Sequence, residues 1–94
     1  MAETVEELTM DYEEGGILLV KEVDKAVLTK GAWATLIFRY QKWDAAKEAY
    51  GPDNYMIRRY RKIKGSYIPQ SKFNISSADQ ARKIIDILSS WTST

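Results

Sequence analysis

Ala34-Thr35-Leu36-Ile37-Phe38-Arg39-Tyr40 decides the fold of this 94-residue chain. Ala34, Leu36, Phe38 and Tyr40 alternate with Thr35, Ile37 and Arg39, the period of a strand with one buried face and one mixed face. Trp43 falls on the side of Arg39. Upstream, Ile17 to Leu28 carries Val20, Val23 and Val27 as β-branched bulk, with a bulge expected near Asp24-Lys25, and Thr29-Lys30-Gly31-Ala32 turns the chain. Downstream, Ala45, Ala46 and Ala49 favour a helical turn within the Asp44 to Asn54 connection, and Gly51-Pro52-Asp53-Asn54 closes it.

Two further strands follow. Tyr55 to Ile63 places Arg58, Tyr60 and Lys62 on one face and Ile57, Arg59, Arg61 and Ile63 on the other. Lys64-Gly65-Ser66 turns into Tyr67 to Ile75, where Pro69 restricts the first half to an edge or a bulge. The chain then changes period. Ser77-Ala78-Asp79-Gln80 supplies an N-cap with glutamine three residues on, and Ala81, Ile84, Ile85, Leu88 and Trp91 form one apolar stripe at helical spacing. Ile87 widens that stripe beyond what one side of a small sheet needs, which points to a second subunit across Ile84, Ile87, Leu88 and Trp91.

The residues before Gly16 read differently. Thr4-Val5-Glu6-Glu7 has the form of a capping box, and Val5, Leu8 and Tyr12 recur at helical spacing until Gly15-Gly16 stops them, so a frayed helix or a disordered arm is expected. The fold class is thus α+β: four antiparallel strands and one C-terminal amphipathic helix in a single domain over 17–94, behind an acidic flexible leader over 1–16.

A formal charge of +1 hides an asymmetry. Glu3, Glu6, Glu7, Asp11, Glu13, Glu14, Glu22 and Asp24 precede nearly every base, since Lys21 alone among the lysines and arginines lies before Lys25. The stretch from Asn54 to Phe73 holds Arg58, Arg59, Arg61, Lys62, Lys64 and Lys72 among Tyr55, Tyr60, Tyr67 and Phe73, with no acid. Cations neutralise phosphates and release counterions, and rings offer unpaired bases a stacking face worth about 1–3 kcal/mol each. An acidic leader beside a basic body screens that surface or docks a protein partner.

Histidine and cysteine are both absent. Disulfides, thiolate metal sites, the usual triads and the commonest general base are thereby excluded, which leaves only carboxylate, lysine, tyrosine or serine chemistry. Neither a metal nor a cofactor is expected. The longest apolar run, Ile17 to Val20, is too short for a signal core or a membrane span, so the expectation is a cytoplasmic protein with no membrane partner.

The order of strands and helix resembles the single-stranded DNA-binding family of the eukaryotic transcriptional positive coactivator and its small bacterial relatives, and more remotely the whirly and purine-rich-element-binding domains. Ala34-Thr35-Leu36-Ile37-Phe38-Arg39-Tyr40 with Trp43 looks like that family's second strand. Lys72-Phe73-Asn74-Ile75-Ser76-Ser77-Ala78-Asp79-Gln80 looks like its last strand and the polar cap before its helix. The Asp44 to Asn54 connection lacks the family's basic, glycine-containing loop, and Gly65 lies upstream of where the family's last strand carries a glycine. The resemblance implies a curved sheet whose concave face holds unpaired strands, with the helix on the convex face joining a homodimer, and a role in transcription or DNA maintenance.

The expected function is single-stranded DNA or RNA binding without catalysis. Arg39, Arg58, Arg59, Arg61, Lys62, Lys64 and Lys72 are the phosphate ligands, and Trp43, Tyr60 and Tyr67 the stacking platforms. Arg58 ranks above Arg59 because Tyr60 shares its face. The rival classes are a protein-interaction module or assembly subunit with no nucleic-acid role, docking through the leader and Trp33, Trp43 and Trp91, and an enzyme using Lys or Tyr.

Overall fold

The alternating stretch around Leu36 becomes Trp33–Asp44, the central strand of one antiparallel sheet in a computed structural model that describes residues 2–93. In chain order the strands are β1 (Tyr12–Glu14), β2 (Ile17–Thr29), β3 (Trp33–Asp44), β4 (Ala49–Tyr50), β5 (Asn54–Ile63) and β6 (Ser66–Ile75), followed by helix α1 (Ala78–Thr92). They lie in the order β1-β2-β3-β5-β6, with β4 paired to β3. The α+β class and the C-terminal helix are as expected, and the four long strands fall within a residue or two of their expected starts. The strand count is not. Gly15 and Gly16 both take positive φ (61° and 81°), so they make a tight hairpin turn that folds Tyr12–Glu14 back onto Leu18 and Ile17 instead of ending a helix. The Asp44 to Asn54 connection is likewise a hairpin: Asp44 Oδ1 accepts from the amides of Ala46 and Lys47, and Trp43 then pairs with Tyr50.

The register separates two faces. Ala34, Leu36, Phe38 and Tyr40 from β3 share one face with Met56 and Tyr60 of β5, and all are buried. Their cover is the leader. Val5, Leu8 and Met10 are 4, 6 and 7% exposed and belong to the same apolar cluster as Leu36 and Phe38. The expectation of a flexible arm over 1–16 is therefore corrected: residues 2–11 form a strap across the sheet. It is tied down along its length. The Tyr67 amide donates to Ala2 O (2.8 Å), Lys25 Nζ donates to Glu6 O and Leu8 O (2.8 and 2.6 Å), and the Glu22 amide donates to Asp11 Oδ1 (2.7 Å). Apolar residues at helical spacing meet this face through a single 3-10 turn, Val5–Glu7, in which Glu7 Oε1 accepts from the Thr4 amide and hydroxyl. Each buried side chain contributes about 1.5–3 kcal/mol, which a three-residue turn could not supply by itself.

On the opposite face, Ile37, Tyr55, Ile57 and Ile75 turn toward α1. The helix is capped as its sequence asks: Ser77 Oγ accepts from the Gln80 amide (3.1 Å), and Gln80 Oε1 accepts from the Ser76 amide (2.9 Å). None of its residues is buried, and Ile85, Leu88 and Trp91 are 61, 51 and 76% exposed. Between helix and sheet lies an open apolar groove of about 450 Å³ lined by Ile37, Ile57, Ile75, Ile84, Ile85 and Leu88 among others. The radius of gyration, 15.1 Å, exceeds the about 12 Å of a compact chain this long. Among the described residues no helix is long and apolar enough to cross a membrane.

Candidate nucleic-acid interface

The acid-free stretch folds into the β5–β6 hairpin, whose tip is a two-residue turn with Lys64 and Gly65 at φ 51° and 82°. Strand alternation divides its cations between the two faces. Arg59 and Arg61 share the helix side of the sheet with Trp33, because Arg61 is directly opposite Trp33 across the β3–β5 pair and Arg59 is opposite Thr35. Both guanidinium groups lie over the Trp33 ring, at 4.5 and 5.4 Å from its centre, distances at which the ring quadrupole attracts a cation. Trp33 is 40% exposed and both arginines are exposed. Among the described residues neither forms an ion pair with a carboxylate. The result is a charged aromatic platform at the end of the sheet formed by Trp33 and Arg61.

The other face at this end is different. Tyr60 is 2% exposed beneath the strap, so it presents no ring to solvent. The stacking role expected for it is corrected, and with it the reason for ranking Arg58 first: the ring beside Arg58 is core. Tyr67 is half-buried, its hydroxyl donating to Gly31 O (2.7 Å), and Lys62 Nζ lies 5.4 Å from its ring. Lys62, Lys30 and Tyr67 share a groove with Glu3 and Glu6 of the strap. Acids from the strap thus lie beside Lys30 and Lys62, while Arg59 and Arg61 point away from them. Lys64 and Lys72 are exposed, the first at the hairpin tip and the second on β6 opposite Arg58.

Two more expected residues are engaged elsewhere. Arg39 Nε donates to Asp53 Oδ2 (2.7 Å), and Gln41 Nε2 donates to Asp53 Oδ1 (2.8 Å). Those hydrogen bonds, from Arg39 first and Gln41 second, hold the Asp53 carboxyl below its ordinary range, so the charge of Arg39 is already answered. Trp43 is half-buried and meets Tyr50 edge-on, with ring centres 5.2 Å apart, while Lys21 sits over Tyr50 and the Tyr50 hydroxyl donates to Leu18 O. These aromatics fasten β4 to the sheet. Trp33 is the first and Trp43 the next-to-last residue of β3, about 33 Å apart along the strand, and they do not make one platform.

The structure thus brings Arg59 and Arg61 together and separates them from Arg39, Trp43 and Tyr60. Trp33 is the residue that sequence reasoning left out of the site. Its signal was parity: Trp33 precedes the buried face that begins at Ala34, so it points the opposite way, as Arg59 and Arg61 do relative to Tyr60. Tyr40, fully inside, donates its hydroxyl to Asn74 Oδ1 (2.7 Å), and burial pushes that hydroxyl above its ordinary pKa. No protein-family model, curated protein or solved structure matches the chain.

Proposed function

We propose that this chain binds single-stranded nucleic acid, DNA or RNA, without acting on it chemically, and that it does so as a homodimer. The observation that carries the reading is Trp33 flanked by Arg59 and Arg61, exposed and without a carboxylate partner among the described residues. Guanidinium groups neutralise phosphates, and an indole with its attached guanidinium planes gives unpaired bases a surface to stack on whatever their sequence. A sheet face of this kind serves a single strand better than a duplex, whose bases stay stacked on each other and whose grooves admit a helix or a two-stranded ribbon.

The homodimer is supported by α1. Its exposed stripe, its open groove against Ile37 and Ile57, and the large radius of gyration support a core shared between two copies. Two copies carry two platforms, and a strand long enough to reach both binds more tightly than either platform alone holds it.

The deciding experiment is a salt titration of binding to labelled single-stranded and duplex oligonucleotides. Tighter binding to the single strand, falling steeply as salt rises, is the expected result. Equal binding to both forms, or affinity indifferent to salt, rejects the reading.

A further inference from the structure

Across the sheet from the platform, Arg58 and Lys72 face each other directly in the β5–β6 pair. Like charges in that relation destabilise a sheet. Here nothing nearby offsets them: among the described residues neither forms an ion pair. Arg58 is half-buried, and its guanidinium Nε donates to Met56 Sδ at 3.2 Å, a weak acceptor for a charged group. Together with Pro69, Gln70 and Ser71 the two cations line an open groove of about 300 Å³. The groove sits where the register slips. Arg59 pairs with Ser71 and Tyr60 with Pro69, so Gln70 is an extra residue in β6, and such a bulge re-aims side chains and backbone at a sheet edge. Two opposed cations without a carboxylate form a site for a group bearing several anionic oxygens, as a phosphate diester does.

The position of this groove matters as much as its charge. β6 is the last strand of the sheet, so the platform face and the groove face are separated at this edge only by the width of the hairpin, about 5 Å per strand. The cations of β5 come as neighbours, Arg58-Arg59 and Arg61-Lys62. Neighbours on a strand point to opposite faces, so such doublets give a one-faced site no more than half their charge, whereas they supply both faces of an edge. We propose that a single strand bound on Trp33, Arg59 and Arg61 continues over the β6 edge and sets a phosphate between Arg58 and Lys72. The inference rests on the function proposed above and adds the path of the ligand to it.

Six measurements decide it: the salt dependence of binding for oligonucleotides of about 4 and about 16 nucleotides, each with the native chain, with Arg59→Gln/Arg61→Gln and with Arg58→Gln/Lys72→Gln. Removing two phosphate contacts lowers the slope of log affinity against log salt by about 1.4. The platform pair is expected to show at least that loss with both lengths, doubled where the long strand reaches both copies, and the groove pair a loss with the long strand only. An unchanged slope for the groove pair with the long strand overturns the path. An equal loss with both lengths also overturns it, because the groove is then an independent anion site. If the native chain binds neither oligonucleotide, the proposed function itself fails. Lys72→Gln alone, at an exposed position, is expected to lower the long-strand slope by about 0.7, and it keeps the test intact if the Arg58 variant melts early.

Discussion

The two ends of this chain carry apolar stripes that meet opposite fates. At the first, Val5, Leu8 and Met10 of the strap are buried against the sheet, while Tyr12, which shares the helical spacing of Val5 and Leu8, stays exposed. At the second, Ile85, Ile87, Leu88 and Trp91 stay in solvent along α1. The sequence signal was stronger for the end that remains open. A stripe states that a face will be buried, and says nothing about whether the covering surface belongs to the same chain. The strap also shows that helical spacing is not a demand for a helix. Three apolar residues on a short segment reach the sheet through one 3-10 turn and two extended links, because the sheet holds them in place.

The largest effect that tests this contrast is loss of the strap. Removing residues 2–11 should abolish the cooperative unfolding transition, since it uncovers Leu36, Phe38 and Tyr60 together. Within the intact chain, Leu8→Ala should cost about 2–5 kcal/mol in a denaturant titration. Leu88→Ala, at an equivalent point of the other stripe, should stay within about 0.5 kcal/mol when the protein is dilute. A cost for Leu88→Ala as large as that for Leu8→Ala under dilution would mean that α1 is core within one copy. Next in size is association. Light scattering should give twice the 10.8 kDa chain mass for the native protein, and Ile87→Glu or Trp91→Glu should return it to one chain. A native monomer at micromolar concentration removes the shared core.

Smaller effects separate the two faces of β5. Trp33→Ala should weaken single-strand binding by about 1–3 kcal/mol with the melting transition preserved. Tyr60→Phe, which keeps the buried ring, should leave binding unchanged. The reverse result would move the site to the strap face. Smallest is the Arg39–Asp53 pair, in which Arg39 is exposed and Asp53 half-buried, so that solvent screens their attraction. The carboxyl of Asp53 is held below its ordinary range, so its contribution to stability is present above the ordinary carboxylate pKa and fades as pH falls through the lowered one. Asp53→Asn should therefore lower the melting midpoint slightly at neutral pH, with the difference from the native chain vanishing in acid. A difference that persists at low pH would assign the effect to geometry instead of charge.

Most of the sheet was legible because β3 alternates cleanly and its partners are bounded by Gly, Pro, Asp and Asn. The bulge of β2 falls between Glu22 and Asp24, next to where Asp24-Lys25 suggested it, and Pro69 stands on an edge strand beside a slipped register, the two places open to it. What escaped was the long-range pairing. Nothing local in Ala2 to Asp11 tells that it lies on β3. The short strand β1 depends on Gly15-Gly16, which also serve as a stop, and β4 on a turn whose alanines also suit a helix and whose Glu48 takes a positive φ. The site was half legible for the same reason. Composition located the cations on β5 and β6, but only the inter-strand register sends Arg59 and Arg61 to Trp33 and puts Tyr60 indoors.

The bond from the Tyr67 amide to Ala2 O joins almost the first residue described to the last strand of the sheet. During synthesis the strap leaves the ribosome before any strand exists to receive it, and its final anchor is made only after the β5–β6 hairpin has formed. Until then the strap has only its bonds to β2 to hold it on the apolar face of β3. Folding is thus closed by a contact of great sequence separation, the slow kind, and the newly made chain passes through a stage in which that face is open to other chains. The acids Glu3, Glu6 and Glu7, spaced among the apolar residues of the strap, keep the waiting segment hydrated through that interval.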